Sequence, residues 1–377
     1  MAKRILLLVG LLVGVLTFVV FAPTLQYPFV NWDDNIYVYQ NPHFKPVTLQ
    51  GILHFFTNPY FRSWTPVTFV SHALDVVLWD FNPTGHHLTN VLLHSVNAAL
   101  VFWLALHLID AFKRKRSETG KPIVTMTSSV ISGSVIAALV FALHPLRAES
   151  VAWISDRKDL LCAFFMLLTT IVYLTRRENP LRLLGKYPLL LVFYALALGS
   201  KSTAMVLPAV FILFDITLFR PGFSRSLKEI SPMVLLAVGA GIMAKVAAPG
   251  LETDFAAGET TPLQLFLFPF AATLFYLKNL FYPQELTPIY HTNAFHPAAE
   301  SPMLFIAPLV VVAVTVFCLY EWRRGRSYWI VAWGVFLLFL TPTFLGLFSG
   351  IQPVADRYTY AASIGLCVLE GGGVERI

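Results

Sequence analysis

Ten apolar runs follow one another along this chain, and only a bilayer lets all of them be buried in one fold. They cover residues 5–21, 88–109, 130–143, 160–174, 187–198, 204–219, 232–248, 262–282, 303–320 and 328–348, and a further run starts at Ala361. A membrane helix needs about 20 apolar residues, within a range of about 17–25; several runs reach that length and others fall short of it. Charged residues make up 13% of the chain, half the ~25% usual in soluble domains, and mean hydropathy is +0.67. The sequence therefore predicts an all-α polytopic membrane protein of about 9–10 transmembrane helices.

Basic residues give these runs a direction. Lys3-Arg4, Lys113 to Arg116 with Lys121, Arg176-Arg177 with Arg182 and Lys186, Arg220 with Arg225 and Lys228, and Arg323-Arg324 with Arg326 hold 17 of the 27 Lys and Arg residues. Short basic loops mark the cytoplasmic side. The net charge of +6 is thus a topology pattern, and nucleic-acid binding is excluded as its meaning. Strict alternation satisfies the first four clusters and fails at Arg323 if residues 262–282 cross. That run, with Pro269, Tyr276, Lys278 and Asn279, is read as a re-entrant or interfacial helix. Lys3 and Arg4 precede a run too long for a signal peptide, with no small-x-small cleavage site after it, so an uncleaved first helix with a cytoplasmic N-terminus is expected.

With that topology the outer face, periplasmic or lumenal, collects a large first loop (residues 22–87), residues 144–158, 199–203, a second large loop (249–302) and 349–360. Acids, histidines and aromatics concentrate there. Parts of the first loop, 49–56 and 67–79, read as short amphipathic helices on the membrane surface. Residues 1–369 form one transmembrane domain. The run from Ala361 is broken after nine residues by Glu370-Gly371-Gly372-Gly373, so residues 370–377 read as an abnormal or truncated tail. The three cysteines lie in apolar stretches without metal-ligand spacing, which argues against a disulfide framework or zinc site.

Four constellations carry possible chemistry. Asp33 and Asp34 lie about ten residues beyond the first span among Tyr27, Phe29, Trp32, Tyr37 and Tyr39. They suit a general base for an acceptor hydroxyl or, more plainly, a capped turn. His87, Asn90, His94 and Asn97 share one helix face and serve either inter-helix hydrogen bonding or substrate contact. His144, Arg147, Glu149, Asp156, Arg157, Lys158 and Asp159 place basic groups on the outer side, offset either by the local acids or by a bound phosphate. Lys201 and Arg357 sit at outer span ends, as phosphate partners or, for Lys201, as a side chain reaching the interface. Outer acids can also hold a divalent cation, though no ligand set stands out and no metal residue is assigned.

The order of these motifs resembles one family. An acidic pair follows the first helix, Gly-His-His-Leu-Thr-Asn opens the second, and His144-Pro-x-x-x-Glu149 precedes Asp156-Arg-Lys-Asp-Leu-Leu. Ser200-Lys201-Ser202, Phe275-Tyr-Leu-Lys-Asn-Leu-Phe-Tyr-Pro283 and Ala355-Asp-Arg-Tyr-Thr-Tyr360 come later. The pattern is similar to the TMTC protein O-mannosyltransferases, of the GT-C glycosyltransferase superfamily, over about residues 1–368. The resemblance implies a GT-C-like bundle and a sugar donor linked to polyprenyl phosphate. It implies an outer-face acid in the first loop, at Asp33 or Asp34, and an acceptor protein or glycan. Arg147, Arg157, Lys158, Lys201 and Arg357 become candidates for the donor phosphate, with His87, Asn90, His94, His144 and Glu149 lining the pocket. Many relatives carry Lys-Glu where this chain has Lys201-Ser202, so no glutamate role passes to Ser202. The tetratricopeptide repeats that the resemblance implies at the C-terminus are not seen in the sequence. Two other classes remain: a lipid-linked glycan transporter, which calls for mid-membrane polar groups on broken helices, and an inactive truncated scaffold.

Overall fold

The computed structural model describes residues 2–116, 127–178, 184–247, 262–290, 302–344 and 354–373. Among them every long element is a helix and no β-sheet forms. In chain order the helices are α1 (Ala2–Phe21), α2 (Leu49–Thr57), α3 (Pro66–Trp79), α4 (Pro83–Arg116), α5 (Ser128–Leu143), α6 (Arg147–Ala152), α7 (Arg157–Glu178) and α8 (Tyr187–Ser200). They continue with α9 (Leu207–Phe214), α10 (Phe223–Ala247), α11 (Pro262–Phe281), α12 (Pro302–Arg323), α13 (Tyr328–Phe344), α14 (Thr359–Ala362) and α15 (Ile364–Gly373). Among the described residues six helical stretches are long and apolar enough to cross a membrane, and five apolar helices are shorter. The protein is an integral, multi-pass membrane protein.

Long helices form here because backbone groups in lipid must be satisfied within their own segment. α4 sits centrally and packs on α1, α5 and α7, while α8 pairs with α7 and α12 with α11. The outward faces of α1, α10 and α12 remain apolar and exposed (Leu7, Leu11, Leu235, Ile242, Leu309 and Val312, for example), as expected of surfaces meeting lipid. α11, the run read as re-entrant, is a continuous helix with Tyr276 buried against the bundle. The flanking parts of the second outer loop, 249–261 and 291–301, lie outside the described residues, as do Lys121 and Arg182 of the basic clusters.

Polar side chains concentrate at the two ends of α7, whose 22 residues at about 1.5 Å each place those ends roughly 30 Å apart. At its C-terminal end Arg177 binds Asp215 (2.5 Å) and Glu229 (3.0 Å), and Ser226 donates to Asp215 (2.6 Å). This network ties α7, the turn after α9 and the start of α10 into one plate. The N-terminal end of α7 builds the candidate site.

Residues 22–82 fold over that end. α2 starts where the Thr48 hydroxyl accepts from the Gly51 N–H (3.1 Å), a capping bond that satisfies one otherwise orphan donor. α2 and α3 lie where short amphipathic helices are expected, and both keep apolar residues exposed, Leu49, Leu53 and Phe56 on one and Leu74, Val77 and Leu78 on the other. Their inner faces close an aromatic cluster. Phe55 stacks on Phe69 at 4.4 Å between centroids, and Phe69 stacks on Tyr37 at 5.1 Å. Such pairs add about 0.5–1.5 kcal/mol each beyond area burial.

Helix α15 runs on through Glu370 to Gly373, and its glycines allow close packing against α5. A Cβ on Gly371 would lie 2.1 Å from the Gly133 carbonyl oxygen, and one on Gly133 would lie 2.6 Å from that of Gly371. Small residues permit such close backbone approach between membrane helices. Gly371→Val should therefore force α15 off α5 and lower the thermal unfolding midpoint in detergent by several degrees. An unchanged midpoint would show that this crossing contributes little.

Candidate functional site

The chain leaves α1 through a short helical turn (Ala22–Gln26) and reaches Trp32-Asp33-Asp34, where neighbouring residues take opposite roles. Asp33 has φ +65°, a left-handed conformation that Asp tolerates better than most residues. This turn sends Asp34 inward. Asp34 is 1% exposed. One of its carboxylate oxygens accepts from the Ser155 N–H (2.9 Å) and hydroxyl (2.5 Å), and the other from the Val30 N–H (3.0 Å). Burial raises its carboxyl above the ordinary range, opposed by those hydrogen bonds. Asp34 thus clamps the first loop to the turn before α7. Asp33 is only half-buried, and its carboxylate makes no hydrogen bond or ion pair among the described residues. Its carbonyl accepts from Tyr37 N–H (2.8 Å), which anchors the backbone beneath that carboxylate.

Trp153 is the hub that the sequence did not single out. Its indole N–H donates to the Trp32 carbonyl (2.8 Å), which brings the acidic turn against the segment before α7. Lys158 Nζ lies 5.3 Å from the Trp153 ring and 5.1 Å from the Tyr37 ring, while the Arg357 guanidinium lies 5.4 Å from Trp153 and 5.0 Å from Tyr358. Lys201 Nζ is 5.6 Å from Tyr358. Cations and aromatic rings therefore alternate in one row, Lys158, Trp153, Arg357, Tyr358, Lys201, and the Trp153–Trp32 bond ties the acidic turn to it. Cation–π contacts hold each charge at about 0.5–2 kcal/mol. The only sequence signs of this hub were a Trp and a Ser directly before the Asp-Arg-Lys-Asp motif.

The five basic candidates differ in their partners. Lys201 binds Asp159 (2.5 Å), and Arg357 pairs with Glu149, whose other oxygen accepts from the Arg357 N–H (2.8 Å). Lys158 is part-exposed and has no carboxylate partner among the described residues. Arg157, its neighbour, is fully buried and fully engaged. It binds Asp75 (2.5 Å), Asn90 (2.8 Å), the His86 carbonyl (2.9 Å) and the Ser71 hydroxyl (3.2 Å). It holds α3 and α4 to α7 rather than facing the row. Arg147 is also fully buried, donating to Ser363 (3.0 Å) and Thr359 (3.3 Å) between the Phe141 and Tyr360 rings. It lies inside the bundle, bound to residues on and just after α14.

The polar residues of the α4 face are likewise joined to other helices. Asn90 donates to the carbonyls of Val151 (3.3 Å) and Trp153 (3.2 Å) while accepting from Arg157. His94 bonds Tyr360 (2.7 Å) and the Ala142 carbonyl (3.0 Å). His87 is buried edge-on to Tyr27. His144 accepts from the Leu146 N–H (3.2 Å) and reaches the Leu280 carbonyl (2.8 Å), so its proton sits on Nε2, and burial lowers its pKa. Asp356 receives the Tyr290 hydroxyl (2.9 Å), and burial lifts its pKa to about 6. Among the described residues no group of three or more His, Cys, Asp or Glu is arranged to hold a metal ion.

Similarity to known proteins agrees with the motif order. The chain is 31% identical over 177 residues to protein O-mannosyl-transferase TMTC4 of Homo sapiens, covering 43% of this chain and 22% of that protein. It is 24% identical over 243 residues to TMTC3 of Homo sapiens, covering 64% and 23%. It is 31% identical over 143 residues to Tmtc1 of Drosophila melanogaster, covering 38% and 14%. The chain is thus homologous to the TMTC proteins across about half its length, and the matched part spans about a fifth of these relatives. No family model matches the chain, and no solved structure matches it.

Proposed function

We propose that this protein is a GT-C-type, inverting glycosyltransferase. It moves a sugar from a polyprenyl-phosphate donor to an acceptor hydroxyl, on a Ser or Thr of a protein, at the outer membrane face. The observation that carries this reading is the row of alternating cations and aromatic rings around Trp153, which is hydrogen-bonded to the turn bearing Asp33, a carboxylate without a partner among the described residues. The names of the homologous proteins support the reaction class.

In this mechanism Asp33 accepts the proton of the acceptor hydroxyl as its oxygen attacks the anomeric carbon. The bond to the donor phosphate breaks, and negative charge grows on the departing lipid phosphate. Lys158 stabilises that charge first, since no carboxylate among the described residues pairs with it. Arg357 and Lys201 are held at the edge of the row by Glu149 and Asp159. Asp34, Asn90 and Arg157 position the loop, α4 and α7 around the reacting groups.

A transporter reading asks for polar groups free at mid-membrane. His94 and Asn97 lie deepest; both ring nitrogens of His94 and the Asn97 amide N–H groups are engaged by Tyr360 and backbone carbonyls, which favours transfer over transport.

Lys158→Ala tests the donor role. It should raise KM for the lipid-phosphate sugar about tenfold or more, equivalent to about 1.4 kcal/mol, and lower kcat, with KM for the acceptor unmoved. An unchanged donor KM and kcat would remove Lys158 from the phosphate site. Topology has its own test. The basic cluster at Arg323 places the α12–α13 turn on the cytoplasmic side, so a cysteine at Gly325, where φ is +88° and a Cβ meets open space, should resist impermeant thiol reagents in sealed vesicles. Labelling from outside would invert the proposed orientation of α11 to α13.

A further inference from the structure

The turn at residues 60–63 is made of residues that its shape disfavours. The Tyr60 and Ser63 backbones bond each other in both directions (2.9 and 3.1 Å). Phe61 and Arg62 are thus the two residues of a tight hairpin loop, and their φ angles are +45° and +55°. A loop with both central residues at positive φ strongly prefers Asn-Gly, because a side chain there crowds the following carbonyl. A bulky residue in this conformation is an outlier, and strained backbone of this kind collects at ligand contacts.

Firm anchors hold the strain. The Tyr37 hydroxyl is hydrogen-bonded to Ser63 Oγ (3.0 Å), and the Tyr60 hydroxyl donates to the Ile36 carbonyl (3.4 Å). Tyr37 itself is buried and stacked on Phe69. Against this base the turn sets the Phe61 ring edge-on to Tyr37, with 6.0 Å between centroids and 90° between planes, and leaves the residue 45% exposed. The Tyr37 ring also carries Lys158 Nζ at 5.1 Å. Phe61 and Lys158 therefore share one neighbouring ring, and the transfer chemistry leaves Phe61 unused.

The surroundings decide what an exposed ring here can bind. Its phenyl group has no hydrogen-bonding atom for a phosphate or a sugar hydroxyl. Trp64 donates its indole N–H to the Phe56 carbonyl (3.2 Å), which folds the turn back onto the end of α2. There Leu49, Leu53 and Phe56, spaced four and three positions apart, make one exposed apolar strip. Apolar surface thus begins beside Lys158 at Phe61 and continues along α2. A ligand with an anionic head and an apolar chain uses both the cation and the surface, and burying the chain stabilises the complex in proportion to the area removed from water.

We propose that Phe61 packs on the first isoprene units of the donor lipid while Lys158 holds its phosphate, which makes Phe61 a specificity residue for a prenyl chain. The inference deepens the glycosyltransferase reading and rests on it for the identity of the ligand.

The test measures binding of geranyl phosphate and of methyl phosphate to the full chain in detergent, without acceptor. Phe61→Ala should weaken geranyl phosphate about tenfold, a loss of about 1.4 kcal/mol, and leave methyl phosphate unchanged. Lys158→Ala should weaken both. Phe61→Gly should bind as Phe61→Ala does yet unfold at a higher temperature, since glycine adopts positive φ freely and alanine does not. An equal or lower midpoint would remove the strain on which the proposal rests. Equal weakening of both phosphates by Phe61→Ala would show that the ring only holds Tyr37 in place. Unchanged binding of both, or a loss confined to sugar-bearing donors, would equally overturn the proposal. Transfer is assayed separately: geranyl phosphate binding that depends on Phe61, with no transfer by any protein, would uphold the chain contact and overturn the transferase reading.

Discussion

Asp33→Asn should lower kcat for sugar transfer by about 10²- to 10⁴-fold, the usual worth of a positioned general base, with thermal stability unchanged. The reason is local. The Asp33 carboxylate has no partner among the described residues, so its amide analogue breaks nothing in the fold. Asp34→Asn should behave differently. Its two oxygens accept three hydrogen bonds from Ser155 and Val30, and an amide turns one of those acceptors into a donor facing a donor. Leaving a buried donor unsatisfied costs about 1–3 kcal/mol. Asp34→Asn should therefore lower the unfolding midpoint and reduce transfer only through displacement of the Trp32-Asp33 turn. Parallel measurement of kcat and thermal unfolding separates the two. Loss of transfer in Asp34→Asn at unchanged stability, with Asp33→Asn active, would exchange the roles.

The largest stability loss is expected at Arg157. Its guanidinium and the Asp75 carboxylate are paired at 2.5 Å with side chains 0% and 4% exposed. Removing one partner of a buried pair typically costs about 3–5 kcal/mol, because the other charge is left uncompensated in a low dielectric. Arg157→Met should thus release α3 and the first outer segment, seen as new proteolytic cleavage between residues 58 and 82 and a lowered unfolding midpoint. Arg157→Met combined with Asp75→Leu should recover much of the loss, since apolar replacement of the whole pair removes the desolvation penalty. Equal destabilisation by the single and double variants would show that Arg157 matters mainly through Asn90 and the His86 carbonyl.

These two contrasts mark where the sequence could be read and where it could not. Apolar runs and basic clusters locate most long helices, because membrane burial depends on local composition alone. α2 and α3 are legible for the same reason, as amphipathic stretches beside Pro and Gly. Asp33 and Asp34 could not be told apart, since only the left-handed turn at Asp33 decides which carboxylate faces inward. Arg157 and Lys158 pose the same problem in a helix. Neighbouring positions on α7 point about 100° apart, so one reaches Asp75 while the other lies over Tyr37 and Trp153.

Long-range partners were the other blind spot. The sequence leaves His94 open between inter-helix hydrogen bonding and substrate contact, and its partner Tyr360 lies 266 positions later, too far along the chain for local pattern to find. The close approach of Gly371 to Gly133 of α5, which leaves no room for a Cβ at either, is likewise invisible in the local sequence.

The central claim is best tested by incubating the purified protein in liposomes with radiolabelled polyprenyl-phosphate mannose and a Ser/Thr peptide, beside Asp33→Asn. Label moving to the peptide with wild type, and not with Asp33→Asn, is the predicted result. Label that stays on the lipid with both proteins, or crosses the bilayer without reaching the peptide, would contradict it.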